Sequence, residues 1–377
     1  MKSFLLLILS LMTGCEASSE VRGCKGGWVE LTCKYPKANQ EYQKIEVIKP
    51  RGQNIRSTKK YKWEKDGRFS LYHDTRNKNL RMAIKQLKSE DFGDYKCKFE
   101  QEDFSFYDSR EQELELEVGK RSGEYNYEFY QEGFSFYGPR ELELRVVKDV
   151  CQTPFTQTAY ETAKTTITCD YPNEYNSSVK FICKDNNEIC EEILSTQSSV
   201  KSNGTFTLTD TNSGFNMSIS NVSSQHAGVY WCGVKSNKGN YRVSRRKIQL
   251  QVEGVTITKR SPTIGQDFTY WCVYSKNKLM PNNKFICKGE DPSICQPLWN
   301  TANLNTNTGK FSMEDDTYRR KITITVRNIT TNDTGTYWCG AENNRRSKTF
   351  FHKLEMTVGE WTCYFIARRL YSVHFKS

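Results

Sequence analysis

The sequence predicts an all-β chain folded as three tandem β-sandwiches, and three observations carry that prediction. The pattern Tyr-x-Cys recurs at Tyr95/Cys97, Tyr230/Cys232 and Tyr337/Cys339. Each closing cysteine follows an earlier one at a near-constant distance: 64 residues from Cys33 to Cys97, 63 from Cys169 to Cys232, and 67 from Cys272 to Cys339. The stretch leading into Cys33 alternates apolar and polar residues with the period of two that a half-buried strand needs. A tyrosine two residues before the second of two well-separated cysteines marks a sandwich corner, where its hydroxyl bonds back to the backbone. The 377 residues then fall into three units of about 100, each able to bury one core.

Taken in order, residues 1–17 read as a secretory signal peptide. Lys2 gives a basic start, Phe4 to Met12 an apolar run too short to span a bilayer, and Cys15-Glu16-Ala17 a small-residue cleavage site. The first sandwich is assigned to 19–118. Gly26 to Cys33 alternates into the first cysteine, Leu80, Met82 and Ile84 alternate likewise, and Leu114, Leu116 and Val118 supply the closing strand. Residues 119–148 are an insert that repeats the last hairpin of that sandwich at an offset of 30 residues. Phe129, Gln131, Glu132, Phe134, Ser135, Phe136, Tyr137, Arg140, Glu141 and Leu144 are kept, and Tyr127 stands in the place of Cys97. A hairpin alone is marginal in water, so the copy is expected on an exposed edge of the first sandwich or in competition with the original. A duplicated exon or a faulty gene assembly is an equal reading. The second sandwich spans 149–252 and the third 254–358. The tail, 359–377, stops its apolar run at Arg368-Arg369 and is too short to cross a membrane. The chain therefore reads as secreted, or as one form of a protein anchored in another transcript.

Fourteen cysteines behind a signal peptide imply disulfides rather than metal. The spacing pairs Cys33 with Cys97, Cys169 with Cys232 and Cys272 with Cys339. The second and third sandwiches each carry a further pair, in Lys180-Phe-Ile-Cys183-Lys184 with Cys190 and in Lys284-Phe-Ile-Cys287-Lys288 with Cys295. A zinc site is the competing reading. It fails because no histidine lies nearby and the core already claims two of the four thiols. Local bridges Cys183–Cys190 and Cys287–Cys295 are expected. No sandwich has a tryptophan on its central strand, so Phe181 and Phe285 are expected in the apolar role there, with Ile45 or Val47 in the first. Cys24, Cys151 and Cys363 are left over once Cys15 leaves with the signal peptide. Three is odd, so one should stay free or join another chain, and Cys363 in the tail is the preferred one.

The net charge of +11 is unevenly placed. Residues 34–88 are crowded with cations, including Lys59, Lys60, Lys62, Lys65 and Arg68, whereas 100–117 is acidic. Solvated sandwich faces account for this, and the sharper reading is a basic patch that meets an acidic glycan, a phospholipid headgroup or an acidic protein. Nucleic acid is a poor partner for a secreted chain without a matching motif. Catalysis finds no support: His73, His226, His352 and His374 stand apart, and no Gly-rich phosphate loop occurs. No cofactor is expected.

Tyr-Trp-Cys-Gly at Tyr230–Gly233 and Tyr337–Gly340, together with Lys-Phe-Ile-Cys-Lys and the second short-range cysteine, resembles a family. It is that of the polymeric immunoglobulin receptor-like and CMRF-like leukocyte receptors, in the multi-domain form of bony fishes. The resemblance covers most of 21–358 and is weakest in the first sandwich. It implies three tandem variable-type immunoglobulin β-sandwiches on the extracellular side of the plasma membrane, or secreted. It also implies binding of polymeric immunoglobulin or of an anionic lipid or glycan, with an effect on immune signalling. The competing class is an adhesive protein that self-associates, with Cys363 available for an intermolecular disulfide. The variable-type frame further implies a cation against the aspartate six residues before the last cysteine: Arg68 with Asp91, and Lys310 with Asp333. The second sandwich has Thr205 and His226 there.

Six sequons, at Asn176, Asn203, Asn216, Asn221, Asn328 and Asn332, all fall in the second and third sandwiches. The first is left bare, and its loop residues Phe104, Phe106 and Tyr107 are either ordinary strand residues or an exposed aromatic tip. With the neighbouring turn from Lys37 to Tyr42, they form the expected ligand-binding surface.

Overall fold

The computed structural model describes residues 19–36, 41–100, 111–112, 142–146, 151–175, 178–186, 189–274, 283–301, 309–343 and 347–359. Its regular elements are β-strands and short 3-10 turns, so the chain is all-β. Two compact units divide it: 1–157 with 168–217 and 228–249, and 158–167 with 218–227 and 250–377.

In the first unit, strands Trp28–Lys34, Asn79–Lys85, Phe69–Asp74 and Trp63–Asp66 pair in that order to form one face of the first repeat. The facing sheet places Lys44–Ile48 between Ile55–Ser57 and Lys96–Glu100. Val29, Leu31, Ile45, Val47, Leu71, Leu80, Met82 and Ile84 fill the space between them. Leu80, Met82 and Ile84 alternate inward as their spacing requires. The strand Trp28–Lys34 does not alternate, because Trp28 and Glu30 are buried as well. Their outer face is covered by the second repeat. Strand Tyr241–Glu253 pairs with Trp28–Lys34 through Val29↔Val243, Glu30↔Arg242 and Leu31↔Tyr241. Beyond it lie Gly228–Lys235, Val179–Asp185 and Cys190–Ser195, so one sheet runs unbroken through two repeats.

The closing strand of the first repeat begins at Glu111–Gln112, opposite Lys98 and Cys97, and is completed by the copied hairpin. Leu142–Val146 pairs parallel with Ser19–Gly23 and antiparallel with Gly93–Asp94. The third repeat, in the second unit, fills the equivalent place with Lys348–Met356, parallel to Thr256–Arg260 and antiparallel to Gly335–Glu342. Of the two sequence expectations for the copy, its last strand follows the second: it sits where a closing strand belongs. The rest of the insert and Leu114–Val118 lie outside the described residues.

In the second unit, Asn283–Lys288 joins Gly335–Glu342 and Gln296–Asn300, facing a sheet of Phe268–Val273, Lys321–Val326 and Phe311–Asp316. Ile286 is buried with Cys272, Cys339 and Trp299 in this core. Phe285 belongs to a separate cluster on the other face, with Tyr160, Trp338 and Phe350. The expectation that phenylalanine takes the apolar role beside the core disulfide is therefore corrected. Successive strand residues point to opposite faces, so the isoleucine faces the disulfide and the phenylalanine looks out. Ile182 lies opposite Cys232, and Val47 opposite Cys97, in the same register position.

Candidate ligand-binding surface

Six disulfides join described residues. Cys33–Cys97, Cys169–Cys232 and Cys272–Cys339 staple the sandwiches, and Cys183–Cys190 and Cys287–Cys295 are local. The sixth, Cys24–Cys151, ties the first repeat to the start of the second across 127 residues. The sequence left these two cysteines without partners. Spacing could not reveal the pair, because no repeat period links its members. Cys363 lies outside the described residues.

The sandwich corners have the geometry that Tyr-x-Cys implies. Tyr95 donates its hydroxyl to the Asp91 carbonyl at 2.7 Å, and Tyr337 donates to that of Asp333 at 2.6 Å. Beside them, Arg68 grips Asp91 with two bonds of 2.6 and 2.7 Å, and Lys310 lies 2.8 Å from Asp333. Each carboxylate also accepts a backbone amide across a 3-10 turn, from Lys88 and from Thr330, at 2.7 Å. Burial raises the Asp333 pKa, but Lys310 and Thr330 outweigh it and hold the carboxyl below its ordinary value. In the second repeat His226 Nδ1 accepts the Ser223 amide at 2.9 Å. The ion pair is lost there, but the cap remains.

Where the first two repeats meet, Arg242 packs its guanidinium 4.7 Å from the Phe181 ring centre and 5.5 Å from that of Trp28. It donates to Glu30 at 3.0 Å, and Arg81 donates to the other Glu30 oxygen at 2.6 Å. Glu192 takes Lys235 at 2.8 Å and lies 3.4 Å from Arg242. These groups line a cleft of about 460 Å³. Glu30 and Glu192 at its centre are already paired with Arg81, Arg242 and Lys235, so the cleft is a joint between the two repeats. Trp28 completes the joint, buried with Phe181, Trp231 and the Cys183–Cys190 bridge. Lys85 reaches Asp185 at 2.6 Å.

The far edge of the same sheet is different. Lys59, Lys60, Lys62 and Lys65 are exposed, and none has an ion-pair partner among the described residues. The backbone that carries them is fixed. Glu64 accepts from the Thr58 amide at 2.7 Å, the Lys59 amide at 3.0 Å, the Ser57 hydroxyl at 3.0 Å and the Thr58 hydroxyl at 2.7 Å. Desolvation raises the Glu64 pKa, and these four bonds together pull it below the ordinary value. The Glu64 carboxylate is thus occupied by the backbone and hydroxyls of 57–59. Lys60 bridges to His73, a buried imidazole whose Nε2 meets the Tyr35 hydroxyl. Tyr61 is half-exposed beneath the Arg76 guanidinium.

Of the residues expected to bind ligand, Tyr42 is corrected. It is 6 % exposed, its ring 5.0 Å from Tyr35 and 5.2 Å from Phe99, and it is a core residue. Lys37, Phe104, Phe106 and Tyr107 lie outside the described residues. So does Asn176. Asn203, Asn221, Asn328 and Asn332 are exposed and open to glycan, and Asn216 is half-buried, accepting from Thr168.

The fold and its paired disulfides define a set of linked variable-type immunoglobulin domains. The model of the immunoglobulin V-set domain matches residues 16–118, 152–253 and 255–359, and the chain belongs to that family. It is 26% identical over 216 residues to the polymeric immunoglobulin receptor of Mus musculus, covering 53% of this chain and 25% of that one. To CMRF35-like molecule 7 of Mus musculus it is 32% identical over 95 residues, covering 25% of this chain and 44% of that one. The solved structure of the NK cell receptor Nkp44 covers 28% of this chain and 100% of that one at 21% identity, with a TM-score of 0.24. The chain spans less than half the length of these curated relatives. The first of them is by its name a receptor, and this chain is an immunoglobulin-domain protein similar to it. No described helix is long and apolar enough to cross a membrane.

Proposed function

We propose that the chain is an immune-receptor ectodomain, secreted or held on the extracellular side of the plasma membrane. Its first repeat binds an anionic ligand through the edge at Lys59–Lys65 and so adjusts immune signalling. The observation that carries this is a row of unpaired lysines on a backbone pinned by Glu64. A fixed backbone beneath the cations lowers the ordering cost when they meet an anionic surface, which is the advantage of preorganisation. The six sequons outside this repeat leave its edge unshielded. The name of the mouse relative makes polymeric immunoglobulin one ligand to test, and anionic lipid or glycan the other.

The test is binding of the chain to polymeric immunoglobulin and to vesicles containing phosphatidylserine, each across a salt series. At about 1 kcal/mol per cation near an anionic surface, replacing all four lysines by glutamate should weaken binding at least a hundredfold and flatten its salt dependence. Unchanged affinity in the four-lysine variant would sink the proposal.

A further inference from the structure

We infer that the first repeat is closed by the second copy of its last hairpin, and that residues 113–140 are an insertion the sandwich does not need. The third repeat supplies the ruler. There a single strand serves both neighbours: His352 lies opposite the closing Cys339 and Met356 opposite Gly335, four residues apart. In the first repeat the residue opposite the closing Cys97 is Gln112, and the residue opposite Gly93 is Leu144. These stand 32 apart, from 144 minus 112, so the closing strand is shared between the copies and 28 residues separate its halves.

The parallel partner agrees. Ser19–Gly23 pairs with Leu142–Val146 over five consecutive residues, as Thr256–Arg260 pairs with residues 352–356 in the third repeat. The V-set match, in contrast, ends at residue 118, on the first copy. Contiguous pattern favours the nearer strand, but composition favours the farther one. Glu111, Glu113, Glu115 and Glu117 alternate through the first copy, where the second has Glu141, Glu143, Arg145 and Val147. Fewer like charges and a gain in β-branched residues suit a strand held between two neighbours. The sequence repeat is 30 and the structural insertion 28. The slip of two keeps every residue on its own face, because the side-chain period of a strand is two. The insertion therefore interrupts the last strand itself, between the residue opposite Cys97 and the residue opposite Gly93.

Two measurements test this. Excising residues 113–140 splices Gln112 to Glu141 in the observed register. The shortened chain should be secreted with a melting temperature unchanged within about 2 °C, whereas an essential segment would cost many times that. On the intact chain, hydrogen exchange should be slow for amides of 142–146 and fast for those of 114–118. Leu144→Pro, which removes a ladder donor, should lower the melting temperature, and Leu114→Pro should not. Protection of 114–118 in place of 142–146, or equal protection of both, would overturn the inference even if the excised chain failed to fold. Loss of folding on excision alongside protected 142–146 would overturn the claim that 113–140 is dispensable.

Discussion

At the residue scale, the three corners show how one position is filled in two chemistries. Asp91 accepts from the Arg68 guanidinium and the Lys88 amide, and its side chain is 3% exposed. Asp91→Ala would strand the cation and uncap the turn, costing about 3 kcal/mol; the loss stays at the low end for broken buried pairs because Arg68 reaches water. His226→Ala removes a cap and should cost about 1 kcal/mol. Denaturant unfolding of the two variants checks this, and equal losses would refute it. His73 and His352 add a pH dependence. Burial holds both imidazoles below the ordinary value, helped by Lys60 for His73 and by Arg260 for His352. The unfolded chain binds protons that these folded imidazoles refuse, so stability is intact above the unfolded value of about 6.5 and falls as pH drops below it. Melting temperatures from pH 7.5 to 5.0 should decline, and His73→Gln should make the decline shallower.

At the scale of elements, strand Trp28–Lys34 bears the most. Its inner face packs the first core and its outer face seats the joint, so it is buried on both sides. Glu30→Ala would strip Arg81 of its counter-ion and leave Arg242 only its longer contact to Glu192, a loss of about 3 kcal/mol. Glu30→Gln with Arg242→Gln should recover part of it, and no recovery in the double variant would count against the pair. The inner face was legible, since a period of two reports burial directly. The outer face was not, because Glu30 meets a partner 212 residues away and nothing local marks the encounter. The same limit hid Cys24–Cys151. Phe181 and Phe285 cannot be told from Ile182 and Ile286 by hydrophobicity alone, and only the strand pairing shows that the isoleucines lie opposite the core cysteines. The lysine edge could be read as a charge run, but only Glu64, folded back onto 57–59, shows that its cations are unneutralised.

At the scale of the molecule, the first two repeats form one block rather than beads on a string. A shared sheet, a disulfide, the Arg242 network and the Trp28 cluster all hold the same joint. One flank of the first repeat is thereby consumed, and the lysine edge proposed to bind ligand lies at the opposite end of its sheet. The most direct test of that claim is hydrogen exchange at the Thr32 amide, which donates to the Asn240 carbonyl of the second repeat at 2.8 Å. A shared sheet predicts exchange only through global unfolding, as slow as the core amides around Cys33. Exchange at the rate of an exposed strand edge would show that the repeats move independently, and would contradict the account.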